Sequence, residues 1–169
     1  MDIVIELVKK EEKDILRNLL EKYHYEHSQY DKRDVNMLGN FGYDYLDNYW
    51  TEKNRFPYFI KVSNKLAGFI MVNDYNETKL DTNYTVSEFF IMYKYRRKGI
   101  GKYAVKHILE KHKGKWQLSF HPNNEGSKKF WINTINGYTN GKYELIENNT
   151  DWVYEDGTNG HIIIFESGI

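Results

Sequence analysis

Cysteine is absent from the 169 residues, which excludes a disulfide framework, a thiolate metal site and any acyl-cysteine mechanism. Excess charge of either sign is absent too. Lys and Arg number 24, as do Asp and Glu, so nothing global points to nucleic acid or an anionic membrane. No run approaches the ~20 apolar residues of a membrane span, and Met1 to Val4 open an acid-bearing, strand-like segment unlike a signal peptide. A cytoplasmic setting without a membrane partner is therefore expected. Repeats, low-complexity tracts and linkers are lacking as well, and the length suits one domain over residues 1–169. Asn76-Glu77-Thr78 fits the glycosylation pattern, but with no secretory signal it reads as a turn.

The chain is rich in apolar and aromatic runs that alternate strand and helix character. Residues 3–7 read as a buried strand, and residues 11–24 as a helix with Ile15, Leu16, Leu19, Leu20 and Tyr23 at helical spacing. An aromatic and acidic stretch follows, read as a loop and then a helix over 43–50. Residues 57–62 and 66–72 form a hairpin about Ser63-Asn64-Lys65. Further strands are expected over 84–92, 116–120, 143–146 and 162–165, the last two linked through a turn at Asp156-Gly157. Helices are expected from about 100 to 114 and over 125–135, the second capped by Asn124. This order implies a mixed α+β domain with a mostly antiparallel sheet, and the β-α-β unit near residue 99 adds one parallel pairing.

Residues 87–104, Ser-Glu-Phe-Phe-Ile-Met-Tyr-Lys-Tyr-Arg-Arg-Lys-Gly-Ile-Gly-Lys-Tyr-Ala, are the most informative stretch. A strand runs through a basic cluster into a helix across two glycines. Glycine lets backbone N–H groups approach a ligand, and a helix start leaves further N–H groups unpaired. Such a turn suits phosphate, and Arg96, Arg97, Lys98 and Lys102 favour a polyanion. A Walker A loop is excluded because Arg96 stands where its first glycine is needed and Tyr103 follows the lysine. Gly99-Ile100-Gly101-Lys102-Tyr103-Ala104 matches a Rossmann fingerprint in letters, yet no ribose-binding acid ends the next strand and a hairpin precedes the motif.

The remaining pattern, Arg96-x-x-Gly99-x-Gly101, resembles the GCN5-related N-acetyltransferase (GNAT) family. Asn124-x-x-Ser127-x-x-Phe130-Trp131 followed by Gly137-Tyr138 is similar to that family's second conserved block. Phe89-Phe90, Lys94 to Gly101 and Gly114-Lys115-Trp116 resemble a subgroup of predicted acetyltransferases within it. The resemblance implies a GNAT-like sheet with a splayed parallel strand pair and acetyl-CoA as acyl donor. It implies that Phe89, Phe90 and Ile91 pair with the pantetheine arm. Arg96, Arg97, Lys98, Gly99, Ile100, Gly101 and Lys102 would surround the pyrophosphate, with Asn124, Ser127 and Trp131 contributing from the next helix.

In one place the sequence departs from the family. Trp131 stands where the family's helix usually carries a tyrosine that protonates the leaving thiolate, and an indole N–H is no acid. Tyr138 is the alternative acid. Glu88, one residue before the cofactor strand, is the candidate base, and an alternating strand could equally turn it to solvent. Glu26, Asp31 and Tyr43 are candidates for binding the acceptor, because aromatic walls and carboxylates suit a cationic amine. His24-x-x-His27 lacks a third ligand nearby, so the two read as surface or loop residues and no metal is expected. The expected activity is transfer of acetyl to the primary amine of a small molecule in a ternary complex. The alternative is a silent acyl-CoA-binding sensor of the same fold. A homodimer is kept as an open association state.

Overall fold

A computed structural model describes residues 1–168. Its elements are β1 (Ile3–Leu7), α1 (Lys13–Asp31), α2 (Asn48–Thr51), β2 (Phe56–Val62), β3 (Lys65–Asn73), β4 (Tyr84–Ile91), α3 (Ile100–Lys111), β5 (Gly114–Phe120), α4 (Glu125–Thr139), β6 (Tyr143–Val153) and β7 (Asn159–Ser167). The strands form one sheet in the order β1-β2-β3-β4-β5-β7-β6. Neighbours run antiparallel except β4 and β5, which are parallel. The mixed α+β architecture is the expected one.

The β2–β3 hairpin closes through Ser63 and Asn64, both at positive φ (48° and 62°), the conformation that matches the twist of the flanking strands. One face of the sheet packs Tyr58, Ile70, Val72, Val86 and Trp116 against Ile100, Ala104 and Ile108 of α3 and Ile135 of α4. The other packs Phe59, Phe69, Met71 and Phe90 against Leu16, Leu19, Leu20 and Tyr23 of α1. These faces follow from strand alternation, except at one point in β4. Val72 lies opposite Val86 and Met71 opposite Glu88, so Ser87 is the extra residue of a β-bulge. Residues two apart normally share a face. The bulge instead leaves Val86 on the α3 side and puts Glu88, with Phe90, on the α1 side.

The pairing of β4 with β5 covers only Tyr84, Thr85 and Val86 against Trp116, Gln117 and Leu118. Beyond the bulge the two strands separate, and β5 continues along β7 over its full length. The Met92 N–H donates to the Ala67 carbonyl on β3 at 2.8 Å. By alternation, Phe89 and Ile91 turn their N–H and C=O groups toward the gap.

Several boundaries differ from the sequence reading. The first helix runs on to Asp31 and ends at Lys32 in the left-handed region, φ 60°, so residues 25–31 are helix, not loop. Its inward stripe continues past Tyr23 through His24 and Asp31, residues that an apolar periodicity misses. His24 is buried, not at the surface. The expected helix over 43–50 shrinks to the single turn of α2, held by buried Leu46 and Tyr49 and by the Trp50 indole donating to the Val8 carbonyl at 3.0 Å. The last two strands are longer than expected. In β6 the polar run after Ile146 stays in the sheet through register shifts, with Asn148 at φ 52°.

Gly68 lies opposite Ile91 at the end of β4, and a Cβ there would collide with the Phe90 carbonyl. Gly68→Ala is expected to destabilise the protein by about 2 kcal/mol, as overpacked cores do, read as a lower urea midpoint at unchanged slope.

Candidate active site

A cavity of about 1120 Å³ occupies the gap between β4 and β5. The second half of α1 and the loop to α2 form one wall, and β5 with the β6–β7 turn forms the other. Glu21 keeps the α1–α2 loop folded back, accepting from the N–H groups of Phe41 (2.9 Å) and Gly42 (2.8 Å).

Glu88 projects into this cavity because of the Ser87 bulge. Burial raises its pKa from 4.5 to about 7, while hydrogen bonding from Tyr23, the charge of Arg33 and hydrogen bonding from Tyr43 pull the other way. A second carboxyl, Glu77, lies in the same cavity and accepts from the Ser119 hydroxyl at 3.0 Å. Burial raises it from 4.5 to about 8, with Ser119 opposing and the charge of Glu88 adding to the rise. Tyr23, Ser119, Tyr154 and Glu77 belong to this site, yet the sequence reading did not select them. Glu77 was hidden in a turn motif, since its burial depends on β5, 42 residues away.

The first arginine of the glycine motif has a structural role. Arg96 donates through Nε to the Ile91 carbonyl (2.6 Å) and through both Nη atoms to Glu26 (2.7 and 2.6 Å), and it stacks on Tyr93. Arg96 is therefore not a free pyrophosphate ligand, and Glu26 is not an open acceptor carboxylate. This bidentate fork ties α1 to the end of β4. Asp31, also expected at the acceptor site, is only 2% exposed and accepts from Arg33 Nε (2.8 Å). Tyr43 does line the cavity, 3.5 Å from the Ser87 hydroxyl and stacked on His24.

Beyond Arg96 the chain winds through Arg97 at φ 59° and Gly99 at φ 77° into α3. Among the described residues, the N–H groups of Arg97 to Lys102 find no backbone acceptor. Arg97, Lys98 and Lys102 are exposed around them. Ile100 is a core side chain and offers the turn only its backbone. Gly101 is needed for packing, since a Cβ would sit 3.1 Å from Phe130 and 3.2 Å from Phe89. Phe89 stacks on Phe130 at 5.2 Å and touches Trp131 at the same centroid distance. Asn124 caps α4, accepting from the Ser127 N–H at 3.0 Å. Tyr138 is misplaced for an acid, because it borders a separate small cavity between α3 and α4 with Val105 and Leu109.

An open strand edge beside a helix start with unpaired N–H groups is a setting for a long ligand with a phosphate-bearing end. The model of the acetyltransferase (GNAT) family matches residues 13–135. The chain belongs to the GNAT acetyltransferase family. No curated protein matches the sequence. Solved structures with this fold include an acetyltransferase from Thermus thermophilus (11% identity, TM-score 0.69, covering 98% of this chain and 97% of that one). The PaiA N-acetyltransferase of Thermoplasma acidophilum in complex with coenzyme A is similar at 11% identity and TM-score 0.62, covering 98% and 99%. The ribosomal-protein-S18-alanine N-acetyltransferase of Escherichia coli is similar at 10% identity and TM-score 0.62, covering 99% and 96%. The GNAT acyl donor is acetyl-CoA, and the unpaired N–H groups and exposed cations after Arg96 fit its pyrophosphate.

Both cavity carboxyls have folded-state pKa values above 4.5, so these two groups hold more protons in the folded protein than in the unfolded chain between about pH 4.5 and 8. Their contribution to stability is present below pH 4.5 and is lost as pH rises through 7 to 8. His24 and His27, lowered to about 3 and 4 chiefly by burial, act oppositely below pH 6.5. The carboxyl effect is therefore read as a difference. Glu77→Gln is expected to gain stability relative to wild type as urea titrations move from pH 5 to pH 9.

Proposed function

We propose that this GNAT protein is an acetyl-CoA-dependent N-acetyltransferase acting on the primary amine of a small molecule, with Glu88 as general base. The observation that carries the reading is the Ser87 bulge, which turns Glu88 into the cavity beside the open edge of β4. Acetyl-CoA supplies a thioester carbon open to attack. Along β4, the backbone groups of Phe89 and Ile91 and the neighbouring Phe90 hold the pantetheine as an added strand. The Ile91 N–H polarises the carbonyl oxygen as negative charge develops. At the turn, the N–H groups of Arg97 to Lys102, including Lys98, Gly99 and Gly101, receive the pyrophosphate, while Asn124, Ser127 and Trp131 bound the cofactor from α4.

An alkylammonium of pKa ~10 must lose a proton before it attacks. Glu88 takes it, directly or through a water, and the raised pKa makes it a better base than an exposed carboxylate. The amine nitrogen then bonds to the carbonyl carbon, the C–S bond breaks, and the second nitrogen proton passes to the departing thiolate or to water. A thiolate of pKa near ~8.5 is a tolerable leaving group without a dedicated acid, which accommodates Trp131 in place of a tyrosine. That same tryptophan favours the second reading, a sensor that binds acyl-CoA without turnover.

Thiol release from acetyl-CoA across a panel of primary amines separates the two. Turnover is expected, and tight binding without turnover on any amine would establish the sensor. If Gly101→Trp leaves acetyl-CoA binding intact, the cofactor turn is wrongly placed.

Activity under rate-limiting chemistry should rise with pH through about 7, because Glu88 must be ionised to act as a base. Tyr23, Tyr43, Tyr49, Arg33, Glu77 and Tyr154 are the charged or titratable groups facing it among the described residues. Glu88→Gln is expected to lower kcat/KM by ~100-fold or more, as loss of a general base does, and to remove that rise. A flat wild-type profile from pH 6 to 9 counts against the assignment.

A further inference from the structure

The charges of the cavity are unevenly matched. Arg33 is paired with Asp31, Arg55 with Glu52 and Arg96 with Glu26. Arg97 lies at the phosphate end, outside any ion pair among the described residues. His24 and His27 stay neutral near pH 7, their pKa values lowered mainly by burial. Among the described residues Glu77 and Glu88 form no ion pair, Arg33 acting on Glu88 only at a distance, and both half-buried side chains line the same cavity. Two carboxyls held partly away from water without an ion-pair partner are unfavourable when ionised, so the cavity is complementary to added positive charge.

The two carboxyls also have different surroundings. Glu88 sits beside the open β4 edge, where an acyl group must lie to be attacked. Glu77 sits across the cavity, bonded to Ser119 of β5 and electrostatically coupled to Tyr154. Tyr154 and Trp152 meet edge-to-face there, with ring centroids 6.0 Å apart and planes at 87°. An aromatic pair of this kind, with Tyr154 near the Glu77 carboxylate, makes a seat for an alkylammonium. Asp44 and Glu155 line the cavity as exposed residues and keep its mouth acidic.

We propose that the acceptor is a diamine, one amine presented to Glu88 for reaction and the other held as an ammonium by Glu77 against Trp152 and Tyr154. The assignment rests on the N-acetyltransferase reading and adds to it a subsite for a second charge that does not react. One nitrogen first gives a proton to Glu88, then bonds to the acetyl carbon as the C–S bond breaks, and its second proton passes to the departing thiolate or to water. The distal ammonium changes no bond. Binding of that ammonium supplies Glu77 with its missing counter-charge, so Glu77 is expected to give up its proton on binding.

The test compares linear α,ω-diamines, from ethylenediamine to hexamethylenediamine, with the n-alkylamines of equal length as acceptors, followed by thiol release. The best diamine should exceed its monoamine by about tenfold or more in kcat/KM, the effect of one charge-assisted hydrogen bond. Glu77→Gln should bring that ratio near one. Calorimetric titration of the same diamine into the protein alone is a second readout, and its affinity should fall about tenfold in Glu77→Gln. Equal rates for the two wild-type series overturn the diamine assignment and leave the enzyme reading standing. Absence of thiol release with both series overturns both. A ratio unchanged in Glu77→Gln places the second ammonium elsewhere and overturns the role of Glu77.

Discussion

Three residue pairs hold β4 to β5, and beyond Val86 and Leu118 the ladder stops. Most features of the site answer to that separation. Backbone groups left without partners in a protein interior are costly, so the edge of β4 must be solvated, covered or reserved for a ligand. At one end it is covered, because the Ile91 carbonyl accepts from Arg96, whose guanidinium is fixed in turn by Glu26. At the other, the Ser87 bulge begins as the β5 pairing ends. Between them a short length of strand keeps donors and acceptors facing the gap. The bulge and the clamp thus set the two limits of the open edge, one reorienting Glu88 and the other anchoring α1.

Charge follows the same division. Arg33, Arg55 and Arg96 are neutralised by nearby acids, whereas Arg97 at the phosphate end is not, and among the described residues Glu77 and Glu88 form no ion pair. Removing ions from water is favourable only when partners replace the solvation. Pairing the arginines internally makes them scaffold, and leaving the carboxyls unpaired makes them responsive to what enters. Burial holds both carboxyls near or above neutrality, where a small change in surroundings moves the proton. In the proposed function, this balance favours a cationic acceptor over an anionic one.

How much of this was legible in the sequence depended on the range of the interactions. The glycine turn between β4 and α3 was readable because its signals are consecutive: a strand, cations, two glycines and a helix within 18 residues. The alternating order of elements gave the sheet and its one parallel pairing. Arg96 was misread, since a basic residue in a phosphate motif looks like a phosphate ligand until Glu26, 70 residues away, is found against it. Asp31 was misread for a nearer reason, as its partner Arg33 lies two residues on but only the helix end brings them together. Glu77 could not be found at all. Its position depends on β5 folding beside a connection with no regular structure, and nothing local marks it. The bulge at Ser87 was equally invisible, because a one-residue register shift is a property of two strands.

Trp131 shows how cofactor binding and chemistry can part within one fold. In the wedge formed with Phe89 and Phe130, its indole fills the space where β4, α3 and α4 meet, and it is only 5% exposed. Gly101 permits that approach, since any side chain there would strike the same rings. Bulk at this corner fixes the first turn of α3, and hence the direction of its unpaired N–H groups, without contributing a proton. In the proposed function, proton transfer falls to Glu88, which stands among Tyr23, Tyr43 and Tyr154. Cofactor binding in that proposed function depends on packing between α3 and α4, catalysis on a bulge and the helix facing it, and the two meet along the open edge of β4.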